Sequence, residues 1–134
     1  MSSIFSRIVK GEIPCYRIAE NDRFLAFLDV NPIAKGHVLV IPKDEIDNIF
    51  DINDTDYQGL FLFAKRVAHA LGKCIPCEKV GMAVIGLEVR HAHIHLVPIN
   101  NIYDIDFKNP KLSFSADEFR AMAAEISSGI EGVL

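Results

Sequence analysis

Apolar residues recur along this chain in two rhythms, one helical and one alternating. Ile4, Phe5, Ile8 and Val9 follow a helical spacing that Gly11 and Pro14 end, which predicts one short N-terminal helix. Residues 16–19 and 24–28 predict a strand pair joined by the polar turn Glu20-Asn21-Asp22-Arg23. The run His37-Val38-Leu39-Val40-Ile41-Pro42 is apolar enough for a central strand buried on both faces. Residues 44–51 are acidic and weakly periodic, a loop with one helical turn at most. The broadest stripe, Tyr57, Leu60, Phe61, Ala64, Val67, Ala68 and Leu71, predicts a long helix capped by Asn53 or Asp54 and ended by Gly72. Residues 80–86 and 91–99 give two more strands. After a polar stretch over 100–111, Ser115-Ala116-Asp117-Glu118 is a capping box that opens a final helix with Phe119, Met122, Ala123 and Ile126 inward. About five strands with short connections and two substantial helices predict an α+β fold with a mainly antiparallel sheet.

Composition narrows the class. At 134 residues, with no repeat or linker, the chain reads as a single domain over 1–134 that can bury a core unaided. A net charge of −4 argues against binding a long nucleic-acid backbone. No apolar run approaches membrane-spanning length, and Met1-Ser2-Ser3-Ile4-Phe5 lacks the plan of a signal peptide. Three cysteines make no disulfide framework, so a cytoplasmic setting is expected.

The candidate chemistry sits in His91-Ala92-His93-Ile94-His95-Leu96-Val97, which holds three of the five histidines. Residues two apart on an extended chain share a face, so the spacing predicts an imidazole row. Imidazole can attack an electrophile, move a proton or bind a metal, and a row of three suits a phosphate-like anion. Satisfied sheet histidines and a metal site are the competing readings. His37 stands at the mouth of its strand, where it can face the same site. Asp29 reads on its own as a turn-former rather than a ligand-binding carboxylate. Gly86-Leu87-Glu88-Val89-Arg90 is a short connection whose glycine could expose backbone N–H groups to an anion. Cys74-Ile75-Pro76-Cys77 has metal-binding spacing but no second pair, and reads as loop cysteines.

Four collinear segments carry a resemblance over almost the full length. They are Ile4-Phe5 through Lys10-Gly11-Glu12-Ile13-Pro14, residues 24–32 ending Asp29-Val30-Asn31-Pro32, Gly36-His37 through Pro42-Lys43, and the alternating histidines. Together they resemble the histidine triad (HIT) family of nucleotide hydrolases and transferases, in its Hint-like branch. The resemblance implies that His93 is a nucleophile forming a covalent nucleotidyl-histidine. It implies that His95 contacts phosphate and assists the leaving group, and that His91 and His37 are supporting histidines. It recasts Asp29 as the acid that binds the ribose hydroxyls. It places Ile4, Phe5, Ile8, Phe27 and Val30 around the base, with Glu88 and Val89 beside the phosphate and a purine mononucleotide as the substrate moiety.

Two departures from the family pattern bear on function. Some bacterial relatives hold zinc through an N-terminal Cys-x-x-Cys, a histidine after the Ile-Pro-Lys signature and the first triad histidine. This chain has Ser3, Ser6 and Glu45 at three of those four positions, so no structural zinc and no cofactor are expected. Before the triad, Leu87 stands where the family has glutamine, and Glu88 where a serine or threonine is common. If Glu88 faced the phosphate it would weaken binding or select a cationic leaving group; if it faced solvent, backbone N–H groups could still hold the phosphate.

The family also pairs as two-fold dimers, and the apolar faces of the long helix and its adjoining strand agree with a homodimer. The leading expectation is a metal-independent hydrolase of nucleoside phosphoramidates or related nucleotidyl phosphoanhydrides. A nucleotide-binding regulatory or interaction module with little turnover is the alternative. A nucleotidyl transferase fits less well, because that branch has a glutamine after the triad where this chain has Leu96 and Val97.

Overall fold

Alternation along three apolar runs produces a sheet with two different faces. The computed structural model describes residues 2–131. Its five strands are β1 (Arg17–Glu20), β2 (Phe24–Leu28), β3 (Val38–Pro42), β4 (Lys79–Ala83) and β5 (Ile94–Ile99), all antiparallel, in the order β1-β2-β3-β5-β4. Phe24, Ala26, Leu28, Val38, Val40, Ile94 and Leu96 point to one face. There they pack against α2 (Asp54–Cys74) and α3 (Ala116–Ser128) in the main core. Leu25, Phe27, Leu39 and Ile41 point the other way and form a second cluster with Phe5 of α1 (Ile4–Val9). Because both faces are covered at β2 and β3, every residue of those two strands is buried.

The helices form where their stripes and caps predict. Asn53 caps α2 by accepting from the Asp56 N–H at 2.9 Å, and Ser115 and Glu118 close the capping box of α3. Leu60, Ala64, Val67 and Leu71 of α2 are fully buried; each such Leu or Val contributes about 1.5–3 kcal/mol by leaving water. The helix carries the chain from β3 across the core face to the far edge, and β5 fills the slot left between β3 and β4.

Several boundaries differ from the sequence expectation. α2 runs past Gly72 to Cys74, because Gly72 is exposed and Ile75 N–H still closes a turn on Leu71; Pro76 then stops it. β1 lies one residue later than expected, β3 begins at Val38 rather than His37, and β4 ends at Ala83 rather than 86. The larger correction concerns the histidines. β5 begins only at Ile94, where pairing with β3 starts at Val40, so His91 and His93 precede the strand. The backbone there is drawn away from the ladder: Ala92 N–H donates to Ile46 O at 2.7 Å, and the His91 ring is tied to Pro42 O. The expected turn in 44–51 is a 3-10 turn at Ile49–Asp51, and a second one, Ile102–Ile105, lies in the polar stretch.

The six-residue α1 is too short to hold itself together and depends on side-chain bonds to the body. Glu45 Oε1 accepts from Ser3 N–H at 2.5 Å and from Ser6 Oγ at 2.7 Å. Ser3 Oγ donates to His91 Nδ1 at 2.8 Å and accepts from Ser6 N–H at 3.0 Å. These donors pull the Glu45 carboxyl down to about 2, the Ser3 N–H first among them.

Glu45→Ala should release α1, raising amide hydrogen exchange at Ser6 and Arg7 several-fold over wild type while β2 and β3 stay protected. Glu45 has a folded-state value below its ordinary 4.5, so its contribution is full above about pH 4.5 and is lost as pH falls toward 2. Protection of those amides, taken relative to intrinsic exchange at each pH, should fall through that window in wild type and stay level in the Ala variant.

Candidate functional site

The site lies on the second face along the seam of β3 and β5: His37 precedes the first residue of β3, His95 pairs with Leu39, and the His91 ring reaches Pro42 at the other end. The loop from Asp29 to His37 is closed by two backbone bonds, Asp29 N–H to His37 O at 3.0 Å and His37 N–H to Ala34 O at 3.2 Å. Gly36 makes the turn possible with φ +83; a Cβ there would also meet Ile75 Cγ1 at 2.9 Å. His37 is thereby delivered beside β5, where Leu39 and His95 are direct partners.

Hydrogen-bond direction assigns a tautomer to each of the four histidines, since carbonyl oxygens only accept and backbone N–H groups only donate. His91 Nε2 lies 2.8 Å from Pro42 O, so Nε2 carries the proton and Nδ1 accepts from Ser3. His93 Nδ1 lies 2.8 Å from the His91 carbonyl, so Nδ1 carries the proton and Nε2 keeps a bare lone pair. Ile33 N–H donates to His37 Nδ1 at 3.1 Å; the His37 proton therefore sits on Nε2 and donates to His95 Nδ1 at 2.9 Å. His95 is left with its own proton on Nε2.

Burial holds three of these rings, His37, His91 and His95, neutral. It pulls His37 down to about 4 and His95 down to about 3, with neighbouring cationic and imidazole groups adding to the effect. Burial lowers His91 as well, opposed by Pro42 and Glu45. His93 and His95 are 6% and 9% exposed as residues, with ring centroids 4.8 Å apart. Every buried side-chain nitrogen or oxygen among the described residues has a hydrogen-bond partner. Neither His93 Nε2 nor His95 Nε2 has one among the described residues, so neither atom is sealed from solvent by them. The arrangement thus presents a lone pair and an N–H side by side from two otherwise buried rings, a nucleophile next to a proton donor.

The other candidate residues fall into three positions. Phe5, Phe27, Ile8 and Val89 pack into the second cluster, and the Phe5 ring meets His93 edge-on at 5.0 Å and Phe27 at 5.7 Å. Ile4 and Val30 stand exposed at 48% and 56%, as walls of an open apolar site would. Asp29 does two things: Oδ1 accepts from Asn31 N–H at 2.8 Å as a turn-former, and Oδ2 lies 3.6 Å from His37 Nε2 at the histidine cluster. Glu88 is exposed and makes no hydrogen bond or ion pair among the described residues; Leu87 beside it is exposed too. The left-handed Gly86 (φ +71) opens this segment, and the backbone N–H groups of Glu88 and Val89 bond to nothing among the described residues. They remain available to an anion.

Two features escaped the sequence reading. Ser3, Ser6 and Glu45 form a connected network with His91. Phe107, from the stretch read simply as polar, sets its ring 4.6 Å from His95 and 6.0 Å from His37. It is one of two aromatics in that stretch, with Tyr103, and nothing in the local pattern sets it apart.

Neither polar cluster is a good metal site. Ser3, Ser6, Glu45 and His91 offer two hydroxyls where structural zinc takes thiolates or imidazoles, and they already satisfy one another. Asp29, His37 and His95 bring three ligand atoms within 4.8 Å of one another, yet the two imidazoles spend those nitrogens on their mutual hydrogen bond.

Comparison with known proteins agrees with this geometry. Residues 10–102 match the HIT domain family. Adenosine 5'-monophosphoramidase hnt1 of Schizosaccharomyces pombe is 36% identical over 133 residues, covering 98% of this chain and all of that protein. A HIT-like protein of Bartonella henselae, described as involved in cell-cycle regulation, superposes with a TM-score of 0.83 at 25% identity, covering 96% of each chain. A zinc-bound histidine triad protein of Mycobacterium smegmatis gives 0.79 at 28% identity, covering 96% of this chain and 95% of that one. With a triad of this geometry and relatives that match along its whole length, the chain belongs to the HIT domain family.

Proposed function

We propose that this protein is a metal-independent hydrolase of nucleoside phosphoramidates or related nucleotidyl phosphoanhydrides. The observation that carries this reading is the pair of solvent-facing Nε2 atoms in opposite protonation states, on His93 and His95. The S. pombe relative named as an adenosine 5'-monophosphoramidase supports the same reading. His93 Nε2 attacks the α-phosphorus, a P–N bond forms to the imidazole, and the bond to the leaving group breaks. The bridging nitrogen takes a proton from solvent, the amine departs neutral, and His95 Nε2–H donates a hydrogen bond to the lone pair that develops on it. Water then attacks the nucleotidyl-histidine, the P–N bond to His93 breaks, and a proton passes to solvent as the monophosphate leaves. His37 fixes the orientation and tautomer of His95 throughout, and the His91 carbonyl does the same for His93.

Binding follows from the neighbours. Asp29 accepts from the ribose hydroxyls, and Phe5, Phe27, Ile8, Ile4, Val30 and Val89 hold a flat base by apolar contact. The free N–H groups at Glu88 and Val89 receive phosphate oxygens, with the Glu88 side chain turned to solvent. No described helix is long and apolar enough to cross a membrane, and a cytoplasmic enzyme acting on a purine nucleotide fits the whole. The exposed Leu87 and Glu88, where the family carries polar donors, favour one alternative: a nucleotide-binding regulatory module with little turnover.

The same reading includes a homodimer. β4 is an edge strand carrying exposed Met82, followed by exposed Val84 and Ile85, and exposed Leu62 lies on α2. A second copy of this surface would cover these groups and continue the sheet.

Adenosine 5'-phosphoramidate should be turned over by the wild type, and His93→Ala should lower kcat by at least about 10³-fold with AMP still bound. His95→Ala should cost about 10²–10⁴-fold. Wild-type AMP binding without turnover over long incubation would select the regulatory alternative. In sedimentation the wild type should run at twice the chain mass and Leu62→Glu should shift toward the monomer; a monomeric wild type would remove the dimer from the reading.

A further inference from the structure

The rings of His37, His91 and His95, held neutral by burial, supply hydrogen bonds but no fixed positive charge to a phosphate. One cation among the described residues acts on both His37 and His95: Lys111. It comes from the segment after the triad that sequence patterning left as polar loop. Leu112 N–H donates to Pro32 O at 2.8 Å and ties this segment to the loop that delivers His37. Lys111 Nζ donates to Phe107 O at 3.3 Å and lies 6.0 Å from the Phe107 ring centroid. That ring in turn packs edge-on against His95 and His37. An ammonium has three donors, and only one is used here. Lys111 pairs with no carboxylate among the described residues, whereas Glu20 and Glu131 each neutralise a lysine elsewhere on the surface.

The geometry points to a leaving-group subsite formed by Phe107 and Lys111, which takes an anionic group joined to the α-phosphate. Phe107 packs against the proton-bearing histidine, and Lys111, held at the same residue by its bond to the Phe107 carbonyl, brings an unneutralised charge beside it. This rests on the hydrolase reading above and divides its substrates by chemistry. An amine departs only after taking up a proton and has no use for a cation. A sulfate or phosphate departs as a stable anion without needing that proton: the His93 Nε2–P bond forms, the P–O bond breaks, and its electron pair leaves on the oxygen that Lys111 faces. Water then releases the monophosphate as before. Lys111 is therefore the specificity residue for anhydrides over amidates, and Phe107 its positioning residue.

The test compares two substrates and two ligands on wild type, Lys111→Gln and Lys111→Arg. With adenosine 5'-phosphosulfate, Lys111→Gln should lose about tenfold in kcat/KM and Lys111→Arg should retain most of it; one such factor corresponds to a single moderate charge contact. With adenosine 5'-phosphoramidate, both variants should stay within about twofold of wild type. Equal losses on the two substrates would mark Lys111 as merely structural, and no loss on either would remove it; both outcomes overturn the subsite and leave the hydrolase reading standing. Calorimetric binding of AMP and ADP needs no turnover. Wild type should bind ADP more tightly than AMP, and Lys111→Gln should abolish the difference. If the difference disappears as expected but wild type hydrolyses neither substrate, the subsite stands and the hydrolase reading falls. An unchanged difference overturns the subsite.

Discussion

A one-way hydrogen-bond relay, Ile33 N–H to His37 to His95, is the constraint on which the site depends. A backbone N–H can only donate, so it forces the first ring to accept on Nδ1 and to donate from Nε2. The second ring must then accept on Nδ1 and present a proton on Nε2. Both rings are buried, where charging them is costly and where hydrogen bonds are electrostatically stronger than in water. The protonation state offered to a substrate is thus set by backbone geometry some distance from the reacting atoms. The His91 carbonyl, held by the burial of its own residue, imposes the opposite state on His93. Two chemically identical side chains become donor and acceptor through what stands behind them.

The sheet separates stability from chemistry. Its core face, packed by α2 and α3, contains most of the large buried hydrophobic groups. The second face carries a smaller cluster around Phe5, Leu25, Phe27, Leu39 and Ile41, with the histidines at its end. Alternation makes this division unavoidable, because each residue spent on the core leaves its neighbours to the site. α1 closes the second face through serine and carboxylate hydrogen bonds around His91. The residue whose imidazole anchors the helix also offers its backbone carbonyl to His93, which links the hold on the apolar wall to the orientation of the attacking ring.

Much of this was legible from residue order. The apolar stripe of α2, the cap at Asn53, the capping box of α3 and the doubly buried run over 38–42 each follow from short-range periodicity, which tertiary contacts did not override. The spacing of the histidines placed His93 and His95 near one another, and the four collinear segments pointed to the family. Boundaries were less legible where a long-range contact competes with a local rule. Gly72 fails to end α2 because it faces solvent, and His91 leaves the ladder because its ring is held by Pro42, 49 positions earlier in the chain.

Sequence alone therefore determined the elements, the face on which the imidazoles lie and the family pattern they complete, since these depend on neighbours one to four positions apart. Tertiary structure decided which nitrogen of each ring carries a proton, how Asp29 divides its two oxygens between turn and site, where Glu88 points, and that Phe107 and Lys111 stand beside His95. Each of these depends on groups remote in the chain that only the closed sheet brings within hydrogen-bonding or packing distance, and no local rhythm of residues encodes such a meeting.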